Sequence, residues 1–142
     1  ENLEVLQSTN DSGAGFGVVG DLACAVPSEE YMQRVMECFG VKALRHSDIV
    51  KSEVARVAVC TGAGASLIDV ARASGADLYL TADLKYNDFM RHENRIILAD
   101  MGHFESEYCA IQILFDILSK NLCIFAVRKS VCSRNPVNYM IR

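Results

Sequence analysis

Apolar and polar positions along this chain predict strands and helices in regular alternation from Val54 onward. Three apolar segments predict buried strands, VARVAVC, ADLYLT and RIILAD, and the segments SLIDVARAS and DLKYNDFMRHEN between them have helical apolar spacing. A long helix is then predicted at FESEYCAIQILFDILSK and a fourth strand at LCIFAV. This β-α-β-α-β-α-β order predicts an α/β fold, a mostly parallel sheet with helices on its faces.

The pattern before Val54 is less regular. Phe16 to Val26 predicts a strand that glycines interrupt. The helix predicted after Pro27 has its apolar positions on one face and ends at Gly40. A short strand is predicted at VKALRH, and the polar tail after LCIFAV is predicted to pack as an extended segment.

Polar residues follow the predicted parallel strands at the point where each strand ends. Three such ends are Cys60 to Gly62, Thr81 to Asp83 and Ala99 to His103. In an open parallel sheet the carboxyl ends of the strands meet at one edge, where functional groups collect. The sequence therefore predicts that a site lies at this edge.

Composition and charge narrow the class of protein. The 142 residues suit one domain, and the hydrophobic fraction of 51% with a mean hydropathy of +0.15 indicates surface that another chain, or another part of the same protein, covers. The net charge of −4 disfavours nucleic-acid binding. No apolar run is long enough for a membrane helix, and the N-terminus lacks a secretory pattern. Six scattered cysteines predict reduced, buried thiols in a cytoplasmic protein.

His103 and Glu107 stand four residues apart at the start of the predicted long helix, so their side chains can share one helix face. An imidazole nitrogen and a carboxylate oxygen are suitable ligands for zinc, manganese or iron. The same residues also suit a helix start without metal, where His103 caps the helix and the carboxylates of Glu105 and Glu107 favour its N-terminal dipole. Both interpretations stay open from spacing alone, because H-x-x-x-E is a short pattern.

Two ligands are fewer than a catalytic metal generally needs. Asp83 and Asp100 are further candidates because both end strands on the same edge, and either can instead orient His103 as a hydrogen-bond acceptor. His46 and His92 have no partner at ligand spacing. The segment CTGAGAS lacks the lysine of a phosphate loop and is predicted as a tight strand-to-helix turn.

Four segments in order resemble one family, the Nif-three-like proteins, which are called GTP cyclohydrolase I type 2 homologues in bacteria. They are GAGFGVVGDL, VARVAVCTGAGASLIDVARASGADLYLTADLKYNDF, RIILADMGHFESE and IFAVRKSVCSRNPVNY. Together they cover nearly the whole chain. The ordered set is far more specific than any one of its motifs.

The resemblance implies a two-lobed α/β protein with a dinuclear metal site, assembled as a toroidal hexamer. The family's G-H-x-x-x-E motif supplies a histidine and a glutamate ligand, which fall on His103 and Glu107. Its other ligands, a histidine pair and an aspartate, belong to an N-terminal half that this sequence does not contain. We therefore expect residues 15–142 to form a C-terminal α/β metal-binding lobe of a larger protein, and residues 1–14 to be the exit segment from a missing N-terminal or inserted region.

The sequence departs from the family in one segment near the expected site. The family's common T-G-D-x-K-Y-H appears as TADLKYN, with Ala82 in place of glycine and Asn87 in place of histidine. The first exchange is small, whereas the second removes an imidazole.

Two functions follow as expectations. The first is a metal-dependent hydrolase of a nucleotide- or pterin-like substrate in its full-length form, with two divalent ions (zinc, manganese or iron), His103 and Glu107 as ligands, and Asp83 or Asp100 as proton carrier. The alternative is a metal-binding hexameric scaffold or regulatory interaction protein without turnover. The expected partners are copies of the same chain and a small molecule, with neither nucleic acid nor membrane, and the present chain alone is expected to be inactive.

Overall fold

The computed structural model describes residues 1–10, 13–122 and 124–140. Its strands form one six-stranded sheet with the order β1-β2-β4-β5-β6-β3. The strands are β1 (Glu4–Ser8), β2 (Gly15–Pro27), β3 (Arg45–His46), β4 (Glu53–Ala63), β5 (Leu78–Ala82) and β6 (Ile97–Asp100). The helices are α1 (Ser28–Phe39), α2 (Ile68–Ala73), α3 (Tyr86–Phe89), α4 (His103–Glu107) and α5 (Cys109–Asn121), with short 3-10 turns at Ala65–Leu67 and Met90–His92.

The sheet is mixed, which corrects the expectation of a mostly parallel one. Strands β4, β5 and β6 are parallel to one another, as predicted. The pairs β1–β2, β2–β4 and β3–β6 are antiparallel. The central strands are joined through helices, which periodicity detects, whereas β1 joins β2 directly and β3 crosses to the far edge, a pairing that local pattern does not encode.

The core lies on both faces of the parallel centre. On one face the side chains of β4, β5 and β6 pack against α1, which contributes Met32 and Val35. On the other face they pack against α2 and the 3-10 turn before it, which contribute Ile68 and Leu67. Every residue of β5 and β6 is buried, because helices cover both faces of these parallel strands.

The C-terminal region differs from its prediction. The long helix is interrupted at Tyr108, where the amide of Ile111 donates to the Tyr108 carbonyl in a tighter i to i−3 pattern. The strand predicted at LCIFAV is wrong for its described residues, since Ile124 to Val127 form turn and irregular backbone, and Cys123 lies outside the described residues. Ile124 is 87% exposed. Its apolar run predicts burial, but the adjacent described segments offer no strand edge with which it pairs.

The prediction of buried cysteines is also wrong for the five that the structure describes. Cys24, Cys38, Cys109 and Cys132 are exposed, and Cys60 is half-buried. All five are free thiols. Among the described residues, no helix has the length and apolar character required to cross a membrane.

Candidate metal site at the carboxyl edge of the sheet

The ends of β4, β5 and β6 meet at one edge of the sheet, as the sequence predicts. Strand β4 is irregular there: Val59 pairs with Leu80 and Ala63 with Ala82, so three residues of β4 face a single residue of β5. Bulges of this kind redirect the backbone beside functional sites. The bulge contains Gly62, whose φ of +66° is favoured by glycine.

The imidazole of His103 lies between two carboxylates. Its Nδ1 is 2.7 Å from Oδ2 of Asp83, and its Nε2 is 3.2 Å from Oε2 of Glu107. The three side chains are about half exposed, at 49%, 52% and 50% for His103, Asp83 and Glu107. The hydrogen bond to Asp83, aided by the charge of Glu107, raises the pKa of the His103 imidazole. Asp83 adopts a left-handed φ of +57°.

The two ring contacts have different consequences for the neutral imidazole. When Nδ1 carries the proton and its N–H donates a hydrogen bond to Asp83, the lone pair of Nε2 is directed toward Glu107. Carboxylates commonly fix metal-binding histidines in this way. Asp83 therefore lies where it can orient the His103 ring. This is one of the two roles that the sequence allowed it, the other being that of a metal ligand.

Helix α4 is attached to the end of β4 by a serine that the sequence analysis missed. The fully buried Ser106 accepts a hydrogen bond from the amide of Gly62 at 2.9 Å and donates to the His103 carbonyl at 2.8 Å. The Thr81 hydroxyl donates to the Gly62 carbonyl at 3.2 Å. Both backbone groups of Gly62 are thus bound, and the one signal of this close approach is the glycine-rich segment CTGAGAS, which the sequence predicts as a turn.

Asp100 is buried beneath the edge of the sheet, at 4% exposure, and its hydrogen bonds go to groups other than the His103 side chain. Its carboxylate accepts hydrogen bonds from the amides of Leu84 and Gly102, at 2.9 and 3.0 Å, and from Arg45. Its surroundings are those of a structural carboxylate rather than of a ligand open to solvent.

A cavity of about 650 Å³ opens beside His103, a size within the usual range for small-molecule sites. One wall is α4 and the start of α5, where Phe104 and Tyr108 stack with ring centroids 4.8 Å apart. The other wall is the tail, including Asn135, whose amide donates to Glu105 at 2.8 Å, and Tyr139. The extended tail predicted by the sequence is therefore part of the site.

Three other residues singled out in the sequence lie elsewhere. His46 contacts the Ser47 carbonyl, and Nδ1 of His92 accepts from the Asn94 amide. Asn87, which replaces the family's histidine, is exposed on α3. None of these side chains lines the cavity beside His103.

The distance between His103 and Glu107 suits two ligands of one cation. Nitrogen and oxygen ligands of zinc, each about 2.0–2.2 Å from the ion, lie roughly 3–3.5 Å from each other. Nε2 of His103 and Oε2 of Glu107 are 3.2 Å apart. Within the described part of the chain, no group of three or more His, Cys, Asp or Glu side chains is arranged to hold a metal. The residues present therefore fit part of a metal site.

The chain is an α/β protein. Its candidate site lies at the carboxyl ends of the parallel central strands. The Duf34/NIF3 (NGG1p interacting factor 3) family matches residues 1–136, and the chain belongs to this family. A GTP cyclohydrolase 1 type 2 homolog of Campylobacter jejuni is 38% identical over 106 residues, which are 74% of this chain and 42% of that protein. A homolog of the same name from Staphylococcus epidermidis is 25% identical over 142 residues and covers 96% of this chain.

Solved structures confirm the fold. A Bacillus cereus protein related to NIF3 superposes with a TM-score of 0.75 at 22% identity, covering 89% of this chain and 36% of that protein. A hypothetical protein of Staphylococcus aureus gives 0.77 at 22% identity, covering 89% and 43%. The present chain thus spans less than half the length of these relatives.

Proposed function

We propose that this chain carries one part of a divalent-metal site and that the longer protein is a metal-dependent hydrolase. The observation that supports this is the His103–Glu107 pair at ligand distance, with Asp83 on the opposite ring nitrogen. His103 and Glu107 would hold the cation, and the remaining ligands would come from the part of the longer protein outside this chain. The family's expected dinuclear site is consistent with this arrangement.

When bound, a divalent cation lowers the pKa of a water molecule and polarises the bond under attack. Asp83 keeps the proton of His103 on Nδ1 and so keeps Nε2 available as a ligand. Asp83 is also half exposed, whereas Asp100 is enclosed by donors, so Asp83 is the carboxylate placed to exchange protons with solvent. Phe104 and Tyr108 line the cavity beside His103, where their rings can pack against the apolar part of a substrate. The name of the relatives points to a nucleotide- or pterin-like substrate, which we include in the proposal.

The proposal is tested by metal content and turnover. We expect elemental analysis to find divalent metal in the full-length protein and little in the present chain. Glu107→Ala should lower the metal content of the full-length protein, because it removes one ligand. Glu37→Ala, at an exposed position on α1, is the matched control and should keep the metal. Full-length protein should hydrolyse a nucleotide- or pterin-like substrate. His103→Ala should abolish this turnover, and an unchanged circular dichroism spectrum would show that the variant is still folded.

Three results would contradict the proposal. Stoichiometric, tight metal in the present chain would show that its residues form a complete site. Absence of metal from full-length protein purified in metal-replete medium would rule out the site. Equal turnover by wild type and His103→Ala would rule out hydrolysis at this histidine.

The alternative, a metal-binding scaffold or regulatory interaction protein, is supported by the exposed apolar side chains of α5. Ile113, Leu114 and Ile117 are each more than half exposed, at 55%, 57% and 52%. Such a surface suits contact with other subunits, as in the ring assembly expected for the family. A metal-loaded oligomer that is inert toward a broad panel of nucleotides and phosphoesters would favour this alternative.

A further inference from the structure

Asp100 joins three separate segments of the chain below the candidate site. Its Oδ2 accepts from the amide of Leu84, its Oδ1 accepts from the amide of Gly102, and Arg45 donates to Oδ2 from β3. Arg45 also donates to the Leu84 carbonyl at 2.9 Å. Both backbone groups of Leu84 are therefore held by the Arg45–Asp100 pair.

The two amides that Asp100 binds belong to residues directly beside the groups that meet at the candidate site. Leu84 follows Asp83, and Gly102 precedes His103. The left-handed φ of Asp83 is one that L residues rarely adopt, so it needs support from its surroundings. The bond to Leu84 supplies this support one residue away, and the bond to Gly102 fixes the start of α4.

We propose that Asp100 is a positioning residue, which sets the distance between Asp83 and His103 by tying the turn after β5 to the turn after β6. A carboxylate suits this role because all of its neighbours are donors and it offers two acceptor oxygens. An asparagine in its place keeps one acceptor and turns an NH₂ group toward another donor. The inference rests on the proposed metal site for its effect on metal, but its effect on the two turns is independent of that site.

The test compares Asp100→Asn with wild type in the full-length protein, using Zn²⁺ alone and a competing chelator. We expect Zn²⁺ affinity to fall by about 10-fold, the lower end of the effect of losing a group hydrogen-bonded to a metal ligand, because Asp100 acts on the ligand turn only through the Gly102 amide. Hydrogen exchange followed by mass spectrometry should show faster exchange in peptides covering residues 83–90 and 101–107. Exchange in residues 54–59 of β4 should stay unchanged.

Asp77→Asn is the matched control, because Asp77 makes the same kind of contacts at the opposite edge of the sheet. Its carboxylate accepts from the amides of Ala55 and Arg56, both at 3.0 Å, and faces the Lys51 ammonium at 3.7 Å. We expect this variant to keep Zn²⁺ affinity within about threefold of wild type, because Asp77 lies before β5, at the opposite edge of the sheet from His103.

The outcomes separate the inference from the proposed function. Unchanged exchange in both turns of Asp100→Asn overturns the inference, as does an equal loss of Zn²⁺ affinity in Asp100→Asn and Asp77→Asn. If wild type binds none of Zn²⁺, Mn²⁺ and Fe²⁺, the proposed function fails, and the exchange measurement alone decides the inference. If Asp100→Asn does not fold, Arg45→Met replaces it, because Arg45 is 60% exposed. That variant should speed exchange in residues 83–90, and no change there overturns the inference.

Discussion

Gly62 brings the backbone at the end of β4 into contact with both proposed ligands. A Cβ atom at this position would lie 2.4 Å from Oε1 of Glu107 and 3.5 Å from Cε1 of His103. Its φ of +66° adds a second reason for glycine. Gly40, at the end of α1, has almost the same φ of +65° but no atom within 4 Å of such a Cβ. Substitutions at these two glycines therefore distinguish the effect of backbone strain, which both share, from the effect of contact with the site, which only Gly62 has.

We expect Gly62→Ala and Gly40→Ala each to lower the free energy of unfolding by about 1–2 kcal/mol, the cost of a left-handed alanine. Gly62→Ala alone should also weaken metal binding by the full-length protein, because the new methyl group displaces the Glu107 carboxylate. Urea unfolding and chelator competition provide the two measurements. Equal metal affinity in the two variants would show that the close approach at Gly62 has no bearing on Glu107.

Helices α1 and α5 differ in what they contribute to stability, although both have apolar side chains at helical spacing. Helix α1 buries Met32 and Val35 against the sheet. Helix α5 has no buried residue. Apolar periodicity alone does not distinguish them, because it shows which face of a helix is apolar and not whether a surface in the same chain covers it.

We expect Ile117→Lys on α5 to change the unfolding free energy of the present chain by less than about 0.5 kcal/mol, as for other surface exchanges. Met32→Ala on α1 should cost about 2–5 kcal/mol, because it leaves a cavity in the core. Thermal or urea unfolding of the two variants provides the comparison. A large loss in Ile117→Lys would show that α5 is packed in the isolated chain.

The molecule as a whole consists of a buried parallel centre and a C-terminal region that contributes one wall of the cavity. The described residues 124–140 contain neither helix nor strand, and most are exposed. Asn135 links this tail to Glu105 on α4. The cavity therefore depends on a segment that is irregular and largely exposed.

We expect limited trypsin digestion to cut first after Arg128, Lys129 or Arg134, because proteases need an irregular, accessible segment. Residues 53–100, which include the parallel strands, should persist after the tail is lost. Mass spectrometry of the early products identifies the cuts. A first cut between β4 and β6 would contradict this order of stability.

The sequence predicts the parts of the molecule that depend on local pattern. The parallel centre, the end of α1 at Gly40 and the meeting of three strand ends are confirmed. The tight turn predicted at CTGAGAS is wrong for Cys60 to Ala63, which continue β4, and the chain leaves the strand only at Gly64. The short strand predicted at VKALRH is confirmed only for Arg45 and His46. The antiparallel flanks, the pairing of β3 with β6 and the irregular backbone at Ile124 to Val127 depend on which strand edges are available, and the spacing of apolar residues along the chain does not encode this. For the same reason, helical spacing indicates that His103 and Glu107 are neighbours, but not that Asp83 contacts the ring or that Ser106 binds Gly62.

The contact between β3 and β6 has a consequence for the order in which the chain folds. Arg45 and Asp100 are 55 residues apart, whereas the paired residues Val57 and Leu78, or Leu78 and Ile97, are about 20 apart. The longer loop costs roughly 0.9 kcal/mol more to close, and β3 has no place to pair until β6 has formed. Folding should therefore complete the parallel centre first and add β3 late. The turns that carry Asp83 and His103 would reach their final positions in that last step.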